Sequence, residues 1–323
     1  MNVFEPAYIG NIKLKNRVVR SATIMKMCDE NGFPLDEYHN TFEKLAKSET
    51  GLIITGFTYV SRDGKSDSML GIDTEEHISK YRELVNHVHQ NGAKIAMQIN
   101  HCGRQTTEEM TGTQPIAPSA VKNKYSFVMP REMTEADIER IIEAFSQAAR
   151  RVKESGFDAL QLHAAHGFLI NQFLSPYTNR RGDKWGGSIE NRMRFLTEIY
   201  EHVRKRVGDD FPILIKINAN DHMKNGLKSE ESIVMAMEMA EMGFDGIEVS
   251  CGIEEDGGST LRGEIPFDVI LDEWDMYKKK GFLFRFIMRK FGSKLIKPIP
   301  FTQGYNRESA KKIKKKVNIP IFT

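Results

Sequence analysis

Cysteine is scarce in this chain: three residues in 323, Cys28, Cys102 and Cys251, lie far apart with no CxxC pair. That spacing argues against a disulfide framework, a cysteine zinc site and an iron–sulfur cluster. Net charge is nearly absent too, with 46 Lys plus Arg against 44 Asp plus Glu. No field is implied that would draw in nucleic acid, and the aromatics are not interleaved with basic residues as an RNA reader needs. No uninterrupted apolar run approaches the ~18 residues of a membrane span. The N-terminal MNVFEPAYIGNIKLKNR lacks the apolar centre of a signal peptide. With thiols unpaired and no span, a cytoplasmic location and no membrane partner are expected. No GxGxxG joins a strand to a helix, so no dedicated dinucleotide domain is expected. The Lys-rich stretch Lys311 to Lys316 reads as the solvated face of one helix.

What the chain does have is one recurring unit: an amphipathic helix, a glycine and a short apolar strand. It occurs as HVHQNGAKIAMQIN (87–100), RVKESGFDALQLHAA (151–165) and AEMGFDGIEVSCG (240–252). Gly92, Gly156 and Gly243 fit left-handed caps ending each helix. Repeated helix–strand units with buried parallel strands predict an α/β fold, and the length suits one barrel domain. Strands are expected at 18–23, 52–58, 95–100, 159–163, 213–218, 246–250 and 319–323. A (β/α)8 barrel needs eight. The strongest helix is predicted over 134–154, with Thr134 and Asp137 as a capping box and Ile138, Ile141, Ile142, Phe145, Ala148, Ala149 and Val152 as its apolar stripe. Residues 251–297 form a long insertion between strands six and seven, with a helix expected around 282–291.

In such a fold the carboxyl ends of the strands converge on one mouth, where reactive groups collect. Strand one ends Arg20-Ser21-Ala22-Thr23; strand three carries Gln98 and then HCGR; strand four carries His163 and His166; strand five carries Lys216. A buried lysine amine needs a partner, and an ion pair with a carboxylate such as Asp221 is the structural alternative to a functional role. A metal site at the two histidines lacks a third nearby ligand, so no metal is expected.

The run HAAHGFLINQFLSP (163–176), followed by NRRGDKWGGSIENR (179–192), closely resembles a signature of the old yellow enzyme family, FMN-dependent NADH:flavin oxidoreductases. NRVVRSAT (16–23), GLIITGFTYV (51–60), QINHCGRQ (98–105), PIAPSAV (115–121) and KPIPFTQGYN (297–306) fall where the family has its counterparts. The resemblance implies a TIM (β/α)8-type barrel holding FMN, with NADH or NADPH as electron donor and a small-molecule acceptor. It further implies that Lys216 supplies the cation beside the flavin pyrimidine and that Gln98 hydrogen-bonds that ring's edge. Ser21, Ala22 and Thr23 would run along the isoalloxazine with Gly56 close by. His163 and His166 would grip an oxygen of the bound ligand.

Three departures from the family stand out. Phe168 occupies the place of a tyrosine that protonates the substrate carbon in many members, and a phenyl ring has no proton to give. Ile24 replaces a Thr or Cys near the flavin C4 oxygen. The chain stops in what reads as the seventh strand, so the whole of 1–323 is expected to be one barrel domain lacking its final strand–helix unit. The glycine-rich phosphate grip after strands seven and eight is then missing. The open edges would need a partner or a second copy to close them. Besides the flavin oxidoreductase, two alternatives remain at this point: a non-catalytic remnant with weak or no FMN binding, and a Schiff-base lyase using Lys216.

Overall fold

In a computed structural model of the chain, residues 2–124, 126–256, 262–263, 266–273, 275–278, 280–295 and 300–323 are described. The apolar runs seen in the sequence become the parallel strands of one curled sheet. They are β1 (Val19–Arg20), β2 (Leu52–Ile54), β3 (Lys94–Asn100), β4 (Ala159–Ala164), β5 (Ile213–Asn218), β6 (Gly246–Ser250) and β7 (Ile321–Phe322). Each strand pairs with the next in chain order, and every such pair is parallel. A short stretch, Thr58–Tyr59, adds a second pairing beside the end of β3. Parallel neighbours need long crossovers, and these are helices: α1 (Asp36–Lys47), α2 (Glu76–Gln90), α3 (Glu135–Glu154), α4 (Ile189–Val207), α5 (Ser229–Met242) and α6 (Arg307–Lys314). This is the expected TIM-type α/β architecture as a seven-stranded part-barrel. β1 and β7 end the sheet and, among the described residues, do not pair with each other.

The strand faces divide the interior. Ile53, Ile95, Met97, Ile99, Leu160, Leu162, Ile213, Ile215, Ile217, Ile247 and Val249 point outward into the helix layer. The opposite face begins with Leu52, Ile54, Ala96, Ala159 and Leu214. These close on Ile9, Ile12 and Leu14 of an N-terminal hairpin, Ala7–Ile9 with Ile12–Leu14. The hairpin therefore plugs one end of the curled sheet with aliphatic side chains. One step further along the same faces the residues turn polar: Gln98 lies opposite Gln161, and Lys216 lies opposite both His163 and Glu248. A parallel sheet keeps register partners on one face, so these side chains share the inside.

The helix signals hold in detail. Thr134 and Asp137 form the reciprocal capping box at the start of α3, and all seven residues of the expected stripe are buried. Gly92, Gly156 and Gly243 sit at φ of 73°, 89° and 102°, the left-handed conformation that lets each helix turn directly into a strand. Lys311, Lys312, Lys314, Lys315 and Lys316 are exposed around α6 as expected. Strands five and six match the expected bounds; β1 and β7 are only two residues long, and the 52–58 strand breaks at Thr55-Gly56-Phe57. Between β6 and α6 the chain carries helices Phe267–Glu273, Asp275–Lys278 and Phe282–Leu295. The last covers the helix expected around 282–291. Positions 257–261, 264–265, 274, 279 and 296–297 of the expected insertion lie outside the described residues.

Leu14 is fully enclosed in the plug, so Leu14→Ala should cost about 2–5 kcal/mol by cavity formation. Thr134→Ala, which removes only the cap of α3, should cost about 1 kcal/mol. Urea unfolding of the two variants beside the wild type checks both the size and the order.

Candidate functional site

Above the aliphatic plug, four side chains from four neighbouring strands form one hydrogen-bonded row. The Gln98 Nε2 donates to Gln161 Oε1 (2.7 Å), and Gln161 Nε2 donates to Glu248 Oε2 (2.9 Å). The other oxygen, Glu248 Oε1, lies 3.0 Å from Lys216 Nζ and accepts the Ser21 hydroxyl at 2.5 Å. Lys216 also donates to Ser21 Oγ at 3.0 Å. Gln98, Gln161, Glu248 and Lys216 are all buried. An unpaired ammonium there would be costly, and Glu248 removes that penalty. The ion pair weighed as the structural alternative for Lys216 is present, with Glu248 as its carboxylate and not Asp221. Asp221 is buried elsewhere, where it accepts from Asn218 Nδ2 (2.8 Å) and the Leu227 N–H (3.0 Å), and burial raises its pKa. It holds the loop after β5.

The histidine pair stands beside this row. His163 shares a register position with Lys216, and its ring lies 5.1 Å from that of His166 in an edge-on arrangement. The Ala165 N–H donates to His163 Nδ1 at 3.4 Å, which leaves Nε2 to carry the ring proton. Burial, then His166 and Lys216, hold the His163 imidazole well below its ordinary pKa. Desolvation and then Lys216 lower His166 to about 3. Both rings are therefore held in the neutral form at physiological pH, and His163 presents its Nε2–H as a donor. His166 Nε2 lies 2.6 Å from Ser250 Oγ. Its backbone sits at φ 60°, a left-handed conformation uncommon outside glycine. Partners on both sides hold it: its N–H donates to Asn218 Oδ1 (3.2 Å) and its carbonyl accepts from Gln105 Nε2 (2.9 Å). That strained turn swings the second imidazole back toward the first.

Phe168 packs edge-on against His163 with centroids 4.7 Å apart, and Phe57 lies tilted against Phe168 at 4.9 Å. They make an aromatic wall on one side of the imidazoles. On the other flank, Ser21 and Ala22 are half-buried while Thr23 and Ile24 are exposed. Gly56 is needed because a Cβ there would stand 2.8 Å from the Thr23 carbonyl oxygen. The close approach expected of Gly56 is thus to the backbone of 23–24. Among the described residues, no group of three or more His, Cys, Asp or Glu is arranged to hold a metal ion, and no helix is long and apolar enough to cross a membrane.

The structure brings Ser21, Gln98, Lys216, His163 and His166 onto one inner face, with Ala22, Thr23 and Gly56 along its flank. Sequence reasoning missed Gln161, Glu248 and Ser250. The signal was present: Glu248 is the charged residue of an otherwise apolar and small strand, GIEVS, and Gln161 and His163 alternate with apolar residues in ALQLHA.

Known proteins resemble this chain over most of its length. The NADH:flavin oxidoreductase / NADH oxidase family model matches residues 2–252. An NADH oxidase of Thermoanaerobacter brockii is 37% identical over 325 aligned residues, which take in all of this chain and 44% of that protein. An NADPH dehydrogenase of Geobacillus sp. (strain WCH70) is 43% identical over 252 residues, 77% of this chain and 73% of that one. Among solved structures, a 2-naphthoyl-CoA reductase complex superposes with a TM-score of 0.79 at 30% identity, covering 99% of this chain and 50% of the other. Old yellow enzyme from Pichia sp. AKU4542 gives 0.72 at 26%, with coverage of 77% and 70%. The chain thus spans about half the length of some of the relatives it matches, and it belongs to the NADH:flavin oxidoreductase / NADH oxidase family, the family of old yellow enzyme.

Proposed function

We propose that the chain is an FMN-dependent oxidoreductase that passes hydride from NADH or NADPH to a small carbonyl-conjugated acceptor. One observation carries the reading: a buried ammonium, a buried carboxamide and two neutral imidazoles share a single inner face at the carboxyl ends of parallel strands. The residues suit FMN by their chemistry. The flavin pyrimidine edge alternates acceptors with an imide N–H donor, and Gln98 and Lys216 supply complementary groups. Bound FMN would supply the two-electron chemistry, taking up hydride and releasing it, with negative charge on its pyrimidine edge when reduced. Lys216 would sit at that charge and Gln98 at the imide edge. The backbone of Ser21, Ala22 and Thr23, with Gly56 beside it, would lie along the ring.

The remaining chemistry belongs to His163 and His166. An acceptor carbonyl gains negative charge on oxygen as hydride adds beside it, and preformed N–H donors stabilise that charge without reorganising. Neutral imidazoles can do this across physiological pH, because their protonation lies far below it. The wall of Phe57 and Phe168 excludes water from that side of the pair. Phe168 itself cannot donate a proton, so the carbon would receive its proton from water or a group on the substrate.

The direct test of the proposal is an FMN titration. The wild-type chain should take up FMN, keep its yellow absorbance through desalting and lose affinity on Lys216→Met; a colourless chain that FMN does not perturb would refute the reading. His163→Ala should lower kcat for reduction of a conjugated carbonyl substrate by the equivalent of about 3–4 kcal/mol, roughly 10²–10³-fold. Phe168→Tyr should raise the rate of activated-alkene reduction by about 10²-fold, as general-acid catalysis allows, measured as NADPH consumed with a conjugated enone.

The depressed His166 pKa also fixes a stability window. The unfolded imidazole binds a proton below its ordinary pKa near 6.5, and the folded one refuses it down to about 3. Stability should therefore fall as pH drops through this range, because the unfolded state binds more protons. His166→Gln should flatten that part of the curve, read as urea midpoints taken between pH 7 and pH 4.

A further inference from the structure

One buried group in the polar row has no task in the proposed chemistry: the Glu248 carboxylate. It accepts from three sides, from Ser21, Lys216 and Gln161. It is 4% exposed. And it begins a row of amides that ends at Gln98.

An ionised carboxylate only accepts hydrogen bonds. Gln161 must therefore turn its NH2 toward Glu248, which leaves its carbonyl oxygen to face Gln98. Gln98 must in turn direct its own NH2 at Gln161, and the atom it has left is Oε1, an acceptor. The orientation of two amides is thus dictated from the far end of the row. Glu248 also shares Lys216. An ammonium with a carboxylate 3.0 Å away offers less field to any second anion than the same ammonium alone.

We propose that Glu248 is a positioning residue for the flavin. Through Gln161 it holds Gln98 as an acceptor toward an imide N–H, and through Lys216 it tempers the positive field, so that it sets the reduction potential of the bound ring. The inference rests on the FMN reading above, and it deepens that reading by assigning a residue that never needs to touch the cofactor. The two arms are separable. Charge at Lys216 acts on the difference between oxidised and reduced flavin, whereas amide polarity acts on both forms alike.

The experiment uses the full chain as wild type, Glu248→Gln, Glu248→Asp and Gln161→Met. For each, dissociation constants of oxidised and dithionite-reduced FMN are measured anaerobically, with the midpoint potential from a dye-coupled titration. Glu248→Gln should raise the affinity for reduced over oxidised FMN about tenfold, a rise near 30 mV for a two-electron couple. Glu248→Asp should restore most of the wild-type ratio. Gln161→Met, which keeps the charge pair, should weaken both forms about tenfold and leave the ratio alone. A residue that served only to hold the fold would weaken both forms in Glu248→Gln by the same factor and leave their ratio unchanged. An unchanged ratio in that variant overturns the proposal while leaving the FMN assignment standing. Failure of the wild type to bind FMN at all removes both.

Discussion

Placing a lysine amine inside a parallel sheet is the constraint around which the rest of this interior is arranged. An ammonium taken out of water needs an opposing charge held in good geometry, and its hydrogen bonds must be met. The fold meets both needs by register. β5 lies between β4 and β6, so Lys216 has His163 on one side and Glu248 on the other at the same level. A one-residue slip of β6 would send Glu248 to the helix layer and leave the Lys216 ammonium without its carboxylate. Ser21, arriving from β1 across the curled sheet, closes the arrangement. The aliphatic plug beneath it keeps that level dry and fixes where the polar layer can begin.

The histidines obey the same logic in a different way. His163 is on a strand and its direction follows from the sheet. His166 is past the strand end, and only the left-handed backbone at that residue returns it to the site. The carbonyl and N–H of that turn are held by Gln105 and Asn218, side chains from the loop after β3 and the end of β5. The pair is thereby fixed by three strands, which is the rigidity that the oxyanion-binding role proposed for it requires. The Lys216 charge contributes as well: it helps keep both rings neutral and hence able to donate without carrying charge of their own.

Most of the fold is legible in the sequence because its signals are local. The α3 capping box, the glycines after helices and the apolar stripes each act within a few residues, and each appears where it is expected. The short ends of the sheet are less legible. Among the described residues β1 and β7 have a neighbour on one side only, so fewer of their residues meet ladder geometry than their apolar sequence suggests. The 52–58 run reads as one strand, yet Gly56 must press against the Thr23 carbonyl, and the ladder breaks there. The site is half legible. Lys216 stands out as a charge in an apolar strand, but the carboxylate nearest to it in sequence, Asp221, is not its partner. The true partner is a strand away, and only pairing order reveals it. Glu248 carries the same signal as Lys216, and two opposite charges in buried strands predict each other.

The residues of the polar row and the histidine pair all fall within 2–252, the span the family model matches. That boundary has a physical sense. The row spans β3 to β6 and all its side chains precede residue 252, while β7, beyond that point, pairs alongside Ile247 and Glu248. The helix Phe282–Leu295 differs from the interior in kind: it exposes Phe282, Leu283, Phe284, Phe286, Ile287 and Phe291. The insertion does touch the region around the row. Arg104, from the loop after β3, is buried against Glu255, and His166 bridges to Ile253. The segment entering the insertion is thus tied to the loop that carries the second imidazole. Changes beyond residue 252 can therefore reach the second imidazole through that tie, and the Lys216 level through the β6–β7 pairing.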